Sequence, residues 1–545
     1  MDCGTAEKRK TNFANETTVW FRKLFILMKK KDWFKPRGYL HVDTKINFDE
    51  RQDVVLRISN PKYVANHAFL PLLYKTISER RYKKVGKTIE GKQIRSHSED
   101  GKSTRKIRPI HYASHLDSQI YSFYNHKIIS PNYEGLLNQT LGLSNCVSAY
   151  RRIEAADGLR NKCNIHFALD AIEEIKRRQE CTAIALDIKS FFSTLDHTIL
   201  LERWKQVLAV EYLPDDHFNL YKSITKFRYV NLDDFKTVRN RFDEREIASF
   251  LKKGVQAFFA SMEQFRERIQ AKEFIIRKNQ FKRKEGINKH PIGIPQGLPL
   301  SALLANLYLY QFDLEIFNEL CVKNGVFYRR YSDDIVLICN NEQREFVEGF
   351  VKDLICGDQV KLKLSEQKTE RIVFKEIELN GRKRLQSFSL NLNGEEKFNI
   401  PFSYLGFEFY GYQTLIKPSK ISNFYRRMKR AVRRQHLKAE NAIKRNLDSR
   451  KVIYKRRLYR LFTYKGTKKR KLPERTKYIL TKDHLGYWIR KPIPIQRKHR
   501  GNAIRYANTA AELMNAPEIN KQYRNHFRIL QETIKRYNFN NCKKD

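Results

Sequence analysis

From about residue 180 onward, short apolar runs alternate with longer amphipathic ones, the pattern of strands laid against helices. Thr182-Ala-Ile-Ala-Leu186 reads as a strand ending on Asp187, and a helix can begin near His197. Leu300 to Leu320 is long and apolar-rich, which predicts a buried helix. Val326 to Arg330 and Ile335 to Cys339 flank Tyr331-Ser-Asp-Asp334, which predicts a hairpin with acidic residues at its bend. Arg344 to Ile355 has helical spacing, and Val360 to Phe374 returns to strand and turn. Ser422 to Asn446 predicts a helix studded with basic residues, and Val452 to Tyr464 mixes arginines with aromatic rings. Gln206 to Asn288 is read as inserted helices, and the short apolar stretch Phe21 to Met28 as a core helix.

Composition narrows the partners. The chain has 545 residues, so two or three packed units are expected. Its formal charge is +47, far beyond what solubility requires, and 12% aromatic content supplies stacking surfaces. Between Lys417 and Arg500 there are 30 Lys+Arg against 4 Asp+Glu, so more than half the excess charge lies in this one region. A nucleic acid is the expected partner. No window approaches the roughly 18 apolar residues of a spanning helix, and no signal peptide is expected at the N-terminus. Neither membrane insertion nor secretion is therefore expected. The eight cysteines form no C-x-x-C pair, which predicts reduced, mostly buried thiols in a cytoplasm and no zinc site.

The acidic residues suggest a reaction. Phosphoryl transfer from a nucleoside triphosphate uses two divalent ions roughly 3.5–4 Å apart, held by hard carboxylate oxygens on rigid elements. Asp187 at a strand end, with Asp333 and Asp334 on a neighbouring hairpin, would supply such oxygens, and the carbonyl of Ile188 could complete a shell. Magnesium is the expected ion, with manganese as a substitute. Each feature alone is weak, since an aspartate after a strand also serves as a helix cap.

Taken in order, several segments resemble the motifs of reverse transcriptases. Lys106-Ile-Arg-Pro-Ile110 resembles the fingers strand, whose family role would place Arg108, with Lys106 beside it, on the incoming triphosphate. Asp187-Ile-Lys-Ser-Phe-Phe192 resembles the first palm motif, and Gly293-Ile-Pro-Gln-Gly-Leu-Pro-Leu-Ser301 the motif that tracks the nascent pair through Gln296. Tyr331-Ser-Asp-Asp334 matches the catalytic hairpin. Leu364-Ser-Glu-Gln-Lys-Thr369 would place Lys368 near the leaving phosphate. Phe402-Ser-Tyr-Leu-Gly-Phe407 resembles the primer grip, which assigns Tyr404, Leu405 and Gly406, with Tyr331, to primer and template. Phe192 falls where the family places an aromatic ring beneath the sugar, selecting deoxynucleotides, with Phe191 as the alternative outward ring.

The resemblance implies an α+β right-hand polymerase. An N-terminal extension over residues 1–85 would pack on fingers and palm over 86–415, with an insertion near 206–288, followed by a basic helical thumb over 416–545. It also implies deoxynucleoside triphosphates as substrate and a DNA product made on an RNA template, a dedicated non-coding RNA being one candidate, with untemplated or protein-primed synthesis as the alternative, and assembly with itself or a partner protein. Leu298, the insertion, Arg37-Gly-Tyr-Leu-His41 and Asn145-Cys-Val-Ser-Ala-Tyr-Arg151 resemble the bacterial defence-associated members, of the abortive-infection and unknown-group type. Retron or group II intron enzymes, an RNA-dependent RNA polymerase and a non-catalytic nucleic-acid scaffold are the competing readings. Phe192 opposes the RNA polymerase, and the intact aspartates oppose the scaffold.

Overall fold

The computed structural model describes residues 33–539 except 48, 80–82, 88–92, 97, 100–101, 157, 159–160, 237–240, 286–287, 380, 391–394, 446–452, 468–474, 483–487 and 496–500. The Phe21 to Met28 stretch, Cys3, Cys542 and Val452 lie outside the described residues. The fold is α+β, and the chain forms two compact units that interleave along the sequence.

One unit comprises residues up to 144, 190–311 and 357–362. Its four-stranded sheet runs Lys106–Tyr112, Leu72–Glu79, Arg228–Asn231, Arg277–Lys278. The last two strands come from the stretch read as inserted helices, so that expectation needs correcting. Val230 and the ring-bearing residues Phe259, Phe265 and Phe274 form a core with Val42 and Leu73, and Leu72 pairs in parallel with Tyr229. The 206–288 stretch is thus built into the sheet. The signal was hidden because Arg228–Asn231 is only four residues long and finds its partner more than 150 residues earlier.

The other unit comprises 145–189, 312–356 and 363–545. Its six-stranded sheet has the order Phe327–Tyr331, Asp334–Cys339, Cys181–Asp187, Glu370–Leu379, Arg382–Leu390, Glu396–Phe398, antiparallel throughout. The strand Cys181–Asp187 is central and its Ala183, Ile184 and Leu186 are all buried, which is why it reads as a continuous apolar run. Helix Asn164–Arg178 lays Ile165, Ala168, Ala171, Ile172 and Ile175 into the core, an i, i+3, i+4 stripe. The C-terminal helices Pro418–Lys444, Lys455–Phe462, Ala503–Leu513 and His526–Phe539 contribute to the same core.

The apolar stretch expected as one helix is broken into Ser301–Tyr308, Tyr310–Ile316 and a π-helical turn at Phe317–Val322. Apolar periodicity does not distinguish these pitches over so few residues. None of the six described cysteines is in a disulfide; Cys146, Cys181 and Cys339 are buried, whereas Cys163 and Cys356 are exposed, which corrects the expectation of burial for those two. Among the described residues no helix is long and apolar enough to cross a membrane.

Candidate active site

The central strand places Asp187 at its end, and the hairpin places Asp334 directly opposite it in the ladder. Tyr331 pairs with Asp334, so Ser332 and Asp333 form a two-residue turn, with Ser332 at φ +62. The turn is tied to the chain just past Asp187, because the Ile188 N–H donates to the Asp333 carbonyl at 3.0 Å. The Asp187 carbonyl accepts from Ser365 N–H at 2.8 Å, and Ile188 bridges Leu364. These bonds bring the Leu364–Thr369 segment alongside. There the Lys368 ammonium donates to the Asp187 carboxylate. Asp187, Ile188, Asp333, Asp334 and Lys368 are therefore brought together within one unit.

Like charges directly opposite in a ladder are destabilising, so the Asp187–Asp334 pair calls for a cation. Lys368 supplies one positive charge to Asp187. The carboxylates are hard oxygen donors suited to magnesium. Among the described residues, however, no three acidic, histidine or cysteine side chains converge on a single point. The donor types fit a divalent ion, and Asp187 is the carboxylate that Lys368 contacts.

A buried brace, absent from the sequence reading, holds the hairpin turn. The Arg330 and Asp313 side chains are both 0% exposed and meet bidentately, Nε to Oδ1 at 2.7 Å and Nη2 to Oδ2 at 2.5 Å. The Tyr328 hydroxyl donates to Asp313 Oδ1 at 2.6 Å. Arg330 Nη1 also donates to the Ser332 carbonyl at 3.2 Å, fixing the turn from beneath. An acid such as Asp313 inside the largely apolar run Leu307 to Ile316 was the available signal, since a buried charge needs a partner.

Tyr331 is half-buried against Phe167, and burial raises its hydroxyl pKa. Tyr404 is 5% exposed and packs with Phe402 in the core, which raises its pKa strongly. Its ring is thus a core ring and not an exposed primer contact. The half-buried turn Leu405-Gly406 is the accessible part of that segment, with both residues at positive φ, +46 and +96. This is the backbone of a tight hairpin turn, and glycine suits its second position.

The remaining candidates lie in the other unit. Arg108 pairs with Ile77 across the sheet, and its Nη1 contacts Glu79 Oε2 at 2.7 Å in a half-exposed ion pair. Lys106 is half-buried on the same strand. The Gln296 carbonyl accepts from His111 N–H at 2.8 Å. Gly297, at φ +119, passes so close that an added Cβ would stand 2.6 Å from the His111 carbonyl, so this position requires glycine. Ile294 N–H donates to the Phe192 carbonyl at 2.8 Å, so the Gln296 loop is stitched to both Phe192 and the Arg108 strand. Of the two neighbouring rings, Phe191 is buried at 3% exposure and Phe192 is half-buried, which makes Phe191 the core residue.

Residues 235–409 match the family model described as Reverse transcriptase (RNA-dependent DNA polymerase). The matched span includes Gln296, the hairpin, Lys368 and the 402–407 segment, while Arg108, Asp187 and Phe192 precede it. Similar solved structures include telomerase from Candida albicans in complex with a fragment of telomeric RNA. It is 9% identical with a TM-score of 0.31, covering 69% of this chain and 52% of that one. A truncated apo telomerase from Candida tropicalis is 11% identical with a TM-score of 0.30, covering 65% and 61%. Another apo telomerase from Candida tropicalis is 12% identical with a TM-score of 0.29, covering 67% and 57%. The chain thus spans between about half and three fifths of these chains. No curated relative matches the sequence.

Proposed function

We propose that the chain synthesises DNA on an RNA template from deoxynucleoside triphosphates, a reading supported by the match of residues 235–409 to the reverse transcriptase family model. The observation that carries this reading is the cross-strand placement of Asp187 opposite Asp334, with Asp333 in the adjoining turn and Lys368 on Asp187. In the reaction a 3′-hydroxyl attacks the α-phosphorus, a new P–O bond forms, and pyrophosphate leaves. Two magnesium ions, when bound, would activate the hydroxyl and offset the developing charge. Asp187, Asp333 and Asp334 would hold them, with the Ile188 carbonyl. Lys368, released from Asp187, would neutralise the triphosphate, the role that the resemblance assigns to Arg108 as well. Gln296 and the Leu405-Gly406 turn would position the pair and the primer, and the half-buried Phe192 ring would exclude a 2′-hydroxyl.

The fold arrangement is read as fingers, palm and a basic thumb. Helix Pro418–Lys444 supports the thumb assignment. It buries Phe424, Met428, Val432, His436 and Ala439 and exposes Arg426, Arg427, Lys429, Arg430, Arg433 and Arg434. A solvated polyanion fits that face. The biological setting we propose is bacterial antiviral defence in the cytoplasm, copying a dedicated non-coding RNA. Its support is the resemblance carried by Arg37 to His41 and Asn145 to Arg151.

The test is incorporation of labelled deoxynucleotide on a primed RNA template by the full chain. Replacing both Asp333 and Asp334 with Asn should reduce it by at least a thousandfold while leaving thermal unfolding and RNA binding nearly unchanged. Retained incorporation would remove the assignment.

A further inference from the structure

Tyr150 is the exposed end of a buried segment. Cys146, Val147, Ser148 and Ala149 are each no more than 4% exposed, and Tyr150 then turns out at 55%. The segment is anchored to the catalytic hairpin. Val147 forms a parallel bridge with Arg330, and Ser148 N–H donates to the Arg330 carbonyl at 2.9 Å. Arg151 Nη1 closes the following turn on the Val147 carbonyl at 2.6 Å.

So firmly held a segment nevertheless puts a bulky side chain at φ +63. That left-handed backbone is a true outlier for such a residue and persists only where its surroundings enforce it. The result is a ring beside the catalytic turn, with the Tyr150 hydroxyl 3.4 Å from Ser332 Oγ. Ser332, at φ +62, is itself strained. Two strained residues far apart in sequence thus meet at the turn that presents Asp333. Strain of this kind concentrates at functional sites. An aromatic face left half open at such a place suits a flat partner.

We propose that Tyr150 is a nucleotide-contacting residue, its ring stacking on a nucleobase at the growing end. The base belongs either to the primer terminus or to the incoming triphosphate. The inference rests on the polymerase reading above. Base stacking on an aromatic ring is sequence-tolerant and worth roughly five- to a hundredfold in affinity.

Two variants of the full chain test this. Tyr150→Asn removes the ring and tolerates a left-handed backbone, whereas Tyr150→Phe keeps the ring and loses the hydroxyl. Four readouts are compared: thermal midpoint, primer–template dissociation constant by fluorescence anisotropy, KM for the deoxynucleotide, and kcat. Tyr150→Asn should melt at or above the wild-type temperature, yet weaken one of the two binding constants about tenfold. Loss in the primer–template constant assigns the base to the primer terminus, and loss in KM assigns it to the triphosphate. Tyr150→Phe should bind at least fivefold more tightly than Tyr150→Asn.

Both constants staying within twofold in Tyr150→Asn would overturn the proposal. So would equal losses in the two variants, which would put the role in the hydroxyl contact with Ser332. A wild-type chain that incorporates no nucleotide would overturn the polymerase reading instead. The primer–template constant, measured without turnover, would still report on Tyr150.

Discussion

At the scale of single residues, the Arg330–Asp313 pair shows how a buried charge can serve geometry. Arg330 is fully buried, and its guanidinium is shared between the Asp313 carboxylate and the Ser332 carbonyl. Removing one partner of such a pair leaves an uncompensated charge, whereas removing both is far better tolerated. Arg330→Met should therefore lower unfolding stability by roughly 3–5 kcal/mol in urea titration. The double variant Arg330→Met with Asp313→Leu should recover most of that loss. Its incorporation rate should nonetheless remain at least tenfold below wild type, because the Ser332 carbonyl has then lost its bond to Arg330. Recovery of activity together with stability would show that the brace acts on stability alone. The residues that display charge at the bend were legible in the sequence, whereas these two were not. Arg330 sits beside the motif but points away from the chemistry, and its partner lies 17 residues upstream in a helix.

At the scale of elements, local pattern found what local pattern encodes. The strand ending on Asp187 and the hairpin around Ser332-Asp333 were both legible, because each is short, apolar and closed by its own turn. The pairing of Leu72–Tyr74 with Tyr229–Asn231 was not, since a parallel partner more than 150 residues away leaves no local signal. Nor was the burial of Tyr404, because a strand of three residues gives too little alternation to tell which side is covered.

The strand Lys106–Tyr112 carries a further consequence. His111 is fully buried among Tyr74, Phe227 and Tyr229, and neither ring nitrogen has a hydrogen-bond partner among the described residues. Burial pushes its pKa down from 6.5 to about 4. The unfolded chain therefore takes up the proton first, so the stability His111 allows is present above about pH 6.5 and is lost as pH falls toward 4. At pH 5 the loss from this one residue is about 2 kcal/mol. His111→Phe should accordingly lose less stability than wild type between pH 7.5 and pH 5, measured by thermal unfolding at matched ionic strength. An equal loss in both would place the acid sensitivity elsewhere, with His115, whose pKa burial also lowers to about 4, as the next residue to replace.

For the whole molecule, the charge of +47 sets the terms of association. Binding that neutralises phosphates releases counterions, so affinity falls linearly on a log–log plot against salt. Arg430, Arg433 and Arg434 are exposed on the helix Pro418–Lys444. Replacing all three with Glu should reduce the magnitude of that slope by about 2 to 3 for an RNA ligand. A fall in melting temperature with an unchanged slope would mean the face is structural. Composition alone predicted a polyanionic partner. It could not predict that the helices bearing this charge would share a core with the six-stranded sheet, as Phe424, Met428 and Val432 do with Phe374 and Phe409.

The interleaving of the two units has a consequence for how the chain is made. Cys181–Asp187 is flanked in its sheet by Asp334–Cys339 and Glu370–Leu379, and in between the chain completes most of the other unit. At roughly 5–20 residues per second, a ribosome would deliver the first of those neighbours about seven to thirty seconds after the central strand. Throughout that interval an apolar strand with two open edges is held in a nascent chain, so the protein's yield in a cell is tied to whatever shields that strand until its neighbours emerge.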